Sequence, residues 1–364
     1  MSRRTFGACA GVLVVVGVCT LPLRSQHEEA RDASSPISSI RAQLRDEALK
    51  RARTRLGPGN RLSLTMPPSD PTGILTRDSV DCQFVPRATG GTSFKFDCAL
   101  ADGEIVRVKY GHEPEIHAEV AATRLLSALG YGVDHVYVVP RLRCHGCPPT
   151  PFVTTLVLDT LRAPMWSPGG TSEFEWIAVE RKFEGTPIED DRREGWAWWE
   201  LKAAGAPREE LDSLRLLAVF LAHWDNKAEN QRLVCLDANQ PDTAACHDPL
   251  LMIQDLGSTF GPMKVNLSQW RQTPIWMDKS TCTISMKMLP YRGGTFSDAR
   301  IADSARLRVG NALASFTDEE LREWLIAARF PQYYASTDDG KDLEAWLSAY
   351  HHRVSQILDA GPCP

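Results

Sequence analysis

HWDNKAEN, residues 223–230, follows an apolar run at helical spacing, Leu211 to His223, and leads straight into the strand-like RLVCL. A helix, a polar turn and a strand therefore meet where His223, Asp225, Lys227 and Asn230 crowd together. Beyond a cysteine-bracketed insertion comes LMIQDLGSTFG, residues 251–261, in which Asp255 ends an apolar stretch and Gly257 frees the backbone after it. Each piece alone has a plain structural explanation, since a His, Asp and Asn after a helix often form a capped turn and D-L-G is a common tripeptide. Their order and the strands that bracket the insertion favour a shared site.

Toward the N-terminus, the pattern from Cys82 has period two. CQFVPR, TGGTS, FKFDCAL, ADGE and IVRVKYG read as three antiparallel strands separated by turns. Lys109 stands on the third strand. In the first turn Gly90 and Gly91 free the backbone, while Thr92 and Ser93 add donors. A helix is expected from Pro114 to Leu129, stopped at Gly130. On it Glu119 shares a face with Ala122, Leu126 and Leu129, so a charge sits on an apolar stripe. Burying that charge alone is costly, and Lys109 is the obvious cation, with Glu115 as the other carboxylate that could meet it. The plainer readings are a solvated edge lysine and an exposed glutamate. Further strands are expected at His135–Pro140, Phe152–Leu158 and Trp176–Phe183. After Asp190 the pattern turns helical, most clearly at Asp318–Phe330 and Leu343–Leu358. Trp196, Trp198 and Trp199 suit a helix pinned to a core better than a binding surface. Strands first and helices afterwards give an α+β chain.

These residues resemble the protein-kinase-like superfamily, whose catalytic loop reads H-R-D-L-K-x-x-N and whose metal-binding turn reads D-F-G. His223, Asp225, Lys227 and Asn230 match position for position, and Asp255 with Gly257 stands for the turn. The resemblance implies a two-lobed fold: an N-terminal antiparallel sheet with one helix over residues 76–185 and a mainly helical C-terminal lobe over 186–364. It further implies ATP and Mg²⁺ as cofactors, and transfer of the γ-phosphoryl group to a hydroxyl on a protein or small molecule. Asp225 would orient or deprotonate that hydroxyl, Lys227 would neutralise the moving phosphoryl group, and His223 would belong to the catalytic loop. Asn230 and Asp255 would hold the metal. Lys109, Glu119 and the turn Gly90, Gly91, Thr92, Ser93 would bind the nucleotide, and Val179 to Gly185 would join the lobes. The departures are Trp224 in place of Arg, no A-P-E after Asp255, and a turn shorter than G-x-G-x-x-G. The 30-residue gap from Asp225 to Asp255 and the compact spacing from Lys109 to Glu119 resemble atypical members such as secretory-pathway kinases, lipid-kinase-like proteins or small-molecule phosphotransferases. The alternative is an inactive pseudokinase or extracytoplasmic binding module.

Residues 1–26 carry Arg3 and Arg4, then an apolar run from Ala8 to Leu23, and no acid, which reads as an export signal. SRRTF resembles a twin-arginine signal, although Gly7 stands where a larger apolar residue is usual. An uncleaved anchor is the other reading, and membrane contact is expected only through this segment. Residues 27–75 are expected to be a linker and a solvated helix, with Ile40–Arg55 at helical spacing before Gly57, Pro58 and Gly59. Beyond the signal stand Cys82, Cys98, Cys144, Cys147, Cys235, Cys246, Cys282 and Cys363, an even set that suits four disulfides outside the cytoplasm, in a periplasm or secreted. Local closure pairs them in sequence order. The rival is a zinc site from Cys144, Cys147 and some of His145, Cys235, Cys246 and His247. With 41 basic against 46 acidic residues in 364 and no basic stripe, nucleic acid is not an expected partner.

Overall fold

Alternate residues of the first strand, Val80, Cys82 and Phe84, point inward, as the period-two pattern requires. In the computed structural model, the described residues are 36–364 except 56–62, 65–69, 71, 113, 166–168, 191, 238–244, 263, 288, 290–294 and 334–341. The expected export signal and Gly57–Gly59 lie outside them. The chain opens with α1 (Pro36–Arg51), β1 (Ser79–Val85), β2 (Lys95–Ala99), β3 (Ile105–Lys109), α2 (Pro114–Ala128), β4 (Gly132–Val133), β5 (His135–His145), α3 (Pro151–Thr160) and β6 (Thr171–Arg181). It continues with β7 (Thr186–Pro187), α4 (Trp198–Ala204), α5 (Arg208–Leu221), a 3₁₀ turn (Ala228–Asn230), β8 (Gln231–Cys235) and β9 (Pro249–Ile253). The remainder is α6 (Leu267–Gln272), β10 (Thr283–Ile284), β11 (Ala299–Arg300), α7 (Asp303–Ala314), α8 (Asp318–Ala327), α9 (Phe330–Tyr333) and α10 (Leu343–Leu358). The mixture is α+β. No helix among the described residues is long and apolar enough to cross a membrane.

Five strands close a barrel in the order β1-β2-β3-β6-β5. The expected sheet was wholly antiparallel, whereas β1 and β5 run parallel, Ser79 opposite Arg141 through Gln83 opposite His145. The cause is the length of β5, whose second half lies between β6 and β1 and leaves neither strand with a free edge. The expected strand at Phe152–Leu158 is instead the helix α3, so the region holds two helices rather than one. Pro151 starts it, and burial of Phe152 and Thr155 on one side overrides the β preference of its valines and threonines.

The four disulfides join Cys82 to Cys98, Cys144 to Cys147, Cys235 to Cys246, and Cys282 to Cys363. Those sulfurs are thereby bonded to one another and offer no thiolate to a zinc ion, which corrects the zinc reading.

The buried apolar side chains form two large clusters, one inside the barrel and one running from α2 through the later helices. α2 is buried on nearly every side, because the barrel covers one face and α8 and α9 the other. Trp324 donates its indole N–H to Ala121 O at 2.9 Å across that second seam. α1 is not solvated as expected. Its Ala48 and Leu49 join the larger cluster, and its buried Arg45 donates to Glu200 Oε1 at 2.9 Å and to Gly195 O at 2.6 Å. Trp196 and Trp198 are core residues, whereas Trp199 is 69% exposed.

Candidate active site

The loop HWDNKAEN is held from beneath at several points. α5 ends at Ala222 in the left-handed conformation, φ 53°, with the next amide, His223 N–H, donating to Ala218 O at 2.8 Å. Arg353, fully buried on α10, donates to Val219 O at 2.8 Å and Phe220 O at 3.0 Å, setting a positive charge against the C-terminal carbonyls of α5. His223 is buried, and burial pushes its imidazole down to about 4, so it is neutral at physiological pH and acts as a packing element of the loop. Asn226 is buried too. It donates to His223 O at 2.7 Å and accepts the Trp198 indole N–H at 3.0 Å. Gly195, φ 58°, lies directly against the loop: a Cβ there would stand 2.2 Å from both Ala228 O and Gln231 O.

The hairpin of β8 and β9 then brings the two motifs together. Gln231 is opposite Ile253, and Gln254 N–H donates to Asn230 O at 3.2 Å, so Asn230 and Asp255 emerge side by side from adjoining strand ends. Asn230 Nδ2 donates to Asp225 O at 2.7 Å, which closes the loop onto the same spot. Lys227 Nζ lies 3.8 Å from Asp225 Oδ1. Burial raises the Asp225 carboxyl above its ordinary value, Lys227 opposes, and the charge of Asp255 adds to the rise. A carboxyl so placed is a better proton acceptor than an exposed one. Asp255 has φ 49°, an uncommon backbone for this residue type, and its side chain is half exposed.

Lys109 reaches the same place from the barrel. Its Nζ is 2.6 Å from Glu119 Oε1, 3.3 Å from Glu180 Oε2 and 3.9 Å from Asp255 Oδ1. Glu119, not Glu115, is therefore the partner on α2. Glu115 accepts from Ser93 Oγ at 2.8 Å and packs on Gly257, where a Cβ would approach it to 3.0 Å. The turn between β1 and β2 is thus tied to the turn after Asp255. In that turn Gly90 and Thr92 are exposed, Gly91 has φ 83°, and Thr89 Oγ1 donates to Lys95 O at 3.3 Å.

Three buried groups near the site had no distinct sequence signal. Glu180 is held low mainly against its burial by Lys109 and by Lys182, which bonds it closely. With one ammonium shared between two carboxylates, burial and Glu180 raise Glu119, and Lys109 itself is raised. Asp134 takes Lys182 Nζ at 2.9 Å, Phe183 N–H at 2.9 Å and Gln254 Nε2 at 2.6 Å, tying the segment Val179 to Gly185 to β9. Asn226 is the third. The alternation of VERK hints at Glu180, but only the strand register places it beside Lys109.

No family model matches the sequence, and no curated protein matches it. Among solved structures the chain is similar to the Helicobacter pylori proinflammatory kinase CtkA, at 11% identity over 78% of this chain and 96% of that one, TM-score 0.42. It is also similar to the Golgi casein kinase, at 12% identity over 80% and 77%, TM-score 0.37, and to the same kinase with Mn/ADP bound, at 11% identity and TM-score 0.38. Likeness this distant carries no argument about the family of the chain or its activity.

Proposed function

We propose that the protein is a two-lobed, kinase-like phosphotransferase that works outside the cytoplasm. Residues 76–185 form the nucleotide-binding lobe and 186–364 the helical lobe. The observation that carries this reading is the convergence of Lys109, Glu119 and Asp255 on one point, with Asn230 and Asp225 on the adjoining strand end and loop. Asp225 accepts the proton of the acceptor hydroxyl, the hydroxyl oxygen bonds to the γ-phosphorus, and the bond from that phosphorus to the bridging oxygen breaks to release ADP. Asn230 and Asp255 supply the oxygen ligands that suit Mg²⁺, which when bound neutralises phosphate charge. Lys227 faces the same carboxylate and would steady the transferred group. The four disulfides support an oxidising compartment.

Room for an acceptor exists beside the loop. A cavity of about 910 Å³ is lined by Ala228 and Glu229 of the loop, by Trp198 and Trp199, and by Arg215 and Arg300. The test is transfer of radiolabelled γ-phosphate from ATP with Mg²⁺ to the protein itself or to a panel of hydroxyl-bearing acceptors, with Asp225→Asn as the control. Transfer by the wild type that the variant lacks supports the reading. ATP binding without transfer to any acceptor would make the protein a binding module, and absence of ATP binding would overturn the nucleotide site.

A further inference from the structure

We infer that Lys95 is a second phosphate-binding cation, which closes on the β- and γ-phosphates of a nucleoside triphosphate from the side of the glycine turn. This rests on the nucleotide reading above and assigns a residue that no kinase motif marks. Lys95 is the first residue of β2 and lies directly opposite Lys109 in the antiparallel pair, so both side chains leave the same face of the barrel. Its ammonium lies against the turn: a Cβ on Gly91 would stand 2.9 Å from Lys95 Nζ.

Charge accounting gives this lysine its task. Lys109 is surrounded by Glu119, Glu180 and Asp255, and Lys182 is taken by Glu180 and Asp134. Both cations are thus largely neutralised by the protein's own carboxylates before a triphosphate arrives. Ser93, a donor in the turn, is engaged with Glu115. Lys95, by contrast, is partly buried and makes no ion pair or side-chain hydrogen bond among the described residues. A half-buried ammonium that no carboxylate contacts directly is unfavourable, and an incoming phosphate satisfies it. Burial and the neighbouring charge of Lys109 also lower the Lys95 pKa, with Asp255 and Glu119 opposing, and a bound anion would favour its charged form.

The test is calorimetric titration of the full chain and of Lys95→Met and Lys95→Arg with adenosine, ADP and ATP in the presence of Mg²⁺, each variant checked for an unchanged melting temperature. Lys95→Met is expected to weaken ATP about tenfold, about 1.4 kcal/mol, to weaken ADP less and to leave adenosine unchanged. Lys95→Arg is expected to stay near the wild type for ATP. Equal ATP affinity in Lys95→Met and wild type overturns the inference, and so does a loss that extends equally to adenosine. A wild type that binds neither ATP nor adenosine overturns the nucleotide reading itself and the inference with it.

Discussion

Replacing Lys109 by Met removes the ammonium that lies 2.6 Å from Glu119 and 3.3 Å from Glu180, both inside the protein. Glu180 keeps Lys182, so the uncompensated charge falls on Glu119. Breaking a buried pair from one side costs about 3–5 kcal/mol, because the remaining ion is stranded in a poorly polarisable site. Glu119 can escape part of that cost by taking up a proton, and burial already raises its pKa. A carboxyl whose folded pKa lies above its unfolded value gives stability that is full below the unfolded value and is lost as pH rises toward the folded one. The cost of Lys109→Met should therefore be smallest at pH 5 and grow by up to about 1.4 kcal/mol per pH unit once the pH passes about 7, where Glu119 ionises beside Lys109 and stays protonated without it. Adding Glu119→Gln should recover most of the loss at pH 8, because the amide needs no counter-ion. Urea unfolding of wild type, Lys109→Met and Lys109→Met/Glu119→Gln at pH 5 and pH 8 measures all of this. A loss equal at both pH values, with no recovery in the double variant, would refute the reasoning.

The disulfides should differ in worth by loop length. Replacing Cys282 and Cys363, 81 residues apart, by serine is expected to cost about 4.5 kcal/mol, against about 1.5 kcal/mol for Cys144 and Cys147, three apart; equal losses in urea midpoints would contradict this. His117 on α2 donates Nδ1–H to Ala328 O at 2.9 Å, and burial pushes its imidazole down to about 3. Since the unfolded histidine protonates near 6.5, it contributes stability above that pH which is lost on acidification toward 3, and His117→Asn should flatten the slope of unfolding free energy between pH 6.5 and 4. Asn226→Ala leaves His223 O without its donor and should cost about 1–3 kcal/mol; it should also slow phosphoryl transfer without weakening ATP binding, as titration and initial rates will show.

The sequence carried most of what is local. The alternation through CQFVPR and IVRVKYG located the first three strands, and the face shared by Glu119 and Leu126 singled out the ion-pairing carboxylate over Glu115. What escaped depends on contacts far apart in the chain. Phe152–Leu158 has strand-forming residues and became a helix because only one of its sides meets the barrel. The parallel β1–β5 seam is fixed by register over more than fifty residues, which no local pattern encodes. α1 reads as polar, and the charge of its Arg45 is hidden only because Glu200 and Gly195 O, some 150 residues away, receive it. Lys95 and Glu180 were silent for the same reason: each becomes significant only once β2, β3 and β6 are paired around Lys109.

The central claim is that Asn230 and Asp255, with Asp225 alongside, share one metal-bound triphosphate with Lys109. Crystals grown with Mn²⁺ and a non-hydrolysable ATP analogue test it through the manganese anomalous signal. The expected result is a peak within coordination distance of the Asp255 carboxylate and the Asn230 amide oxygen, with the analogue's phosphates between it and the barrel. Manganese and nucleotide bound elsewhere, with that corner of the molecule filled only by solvent, would contradict it.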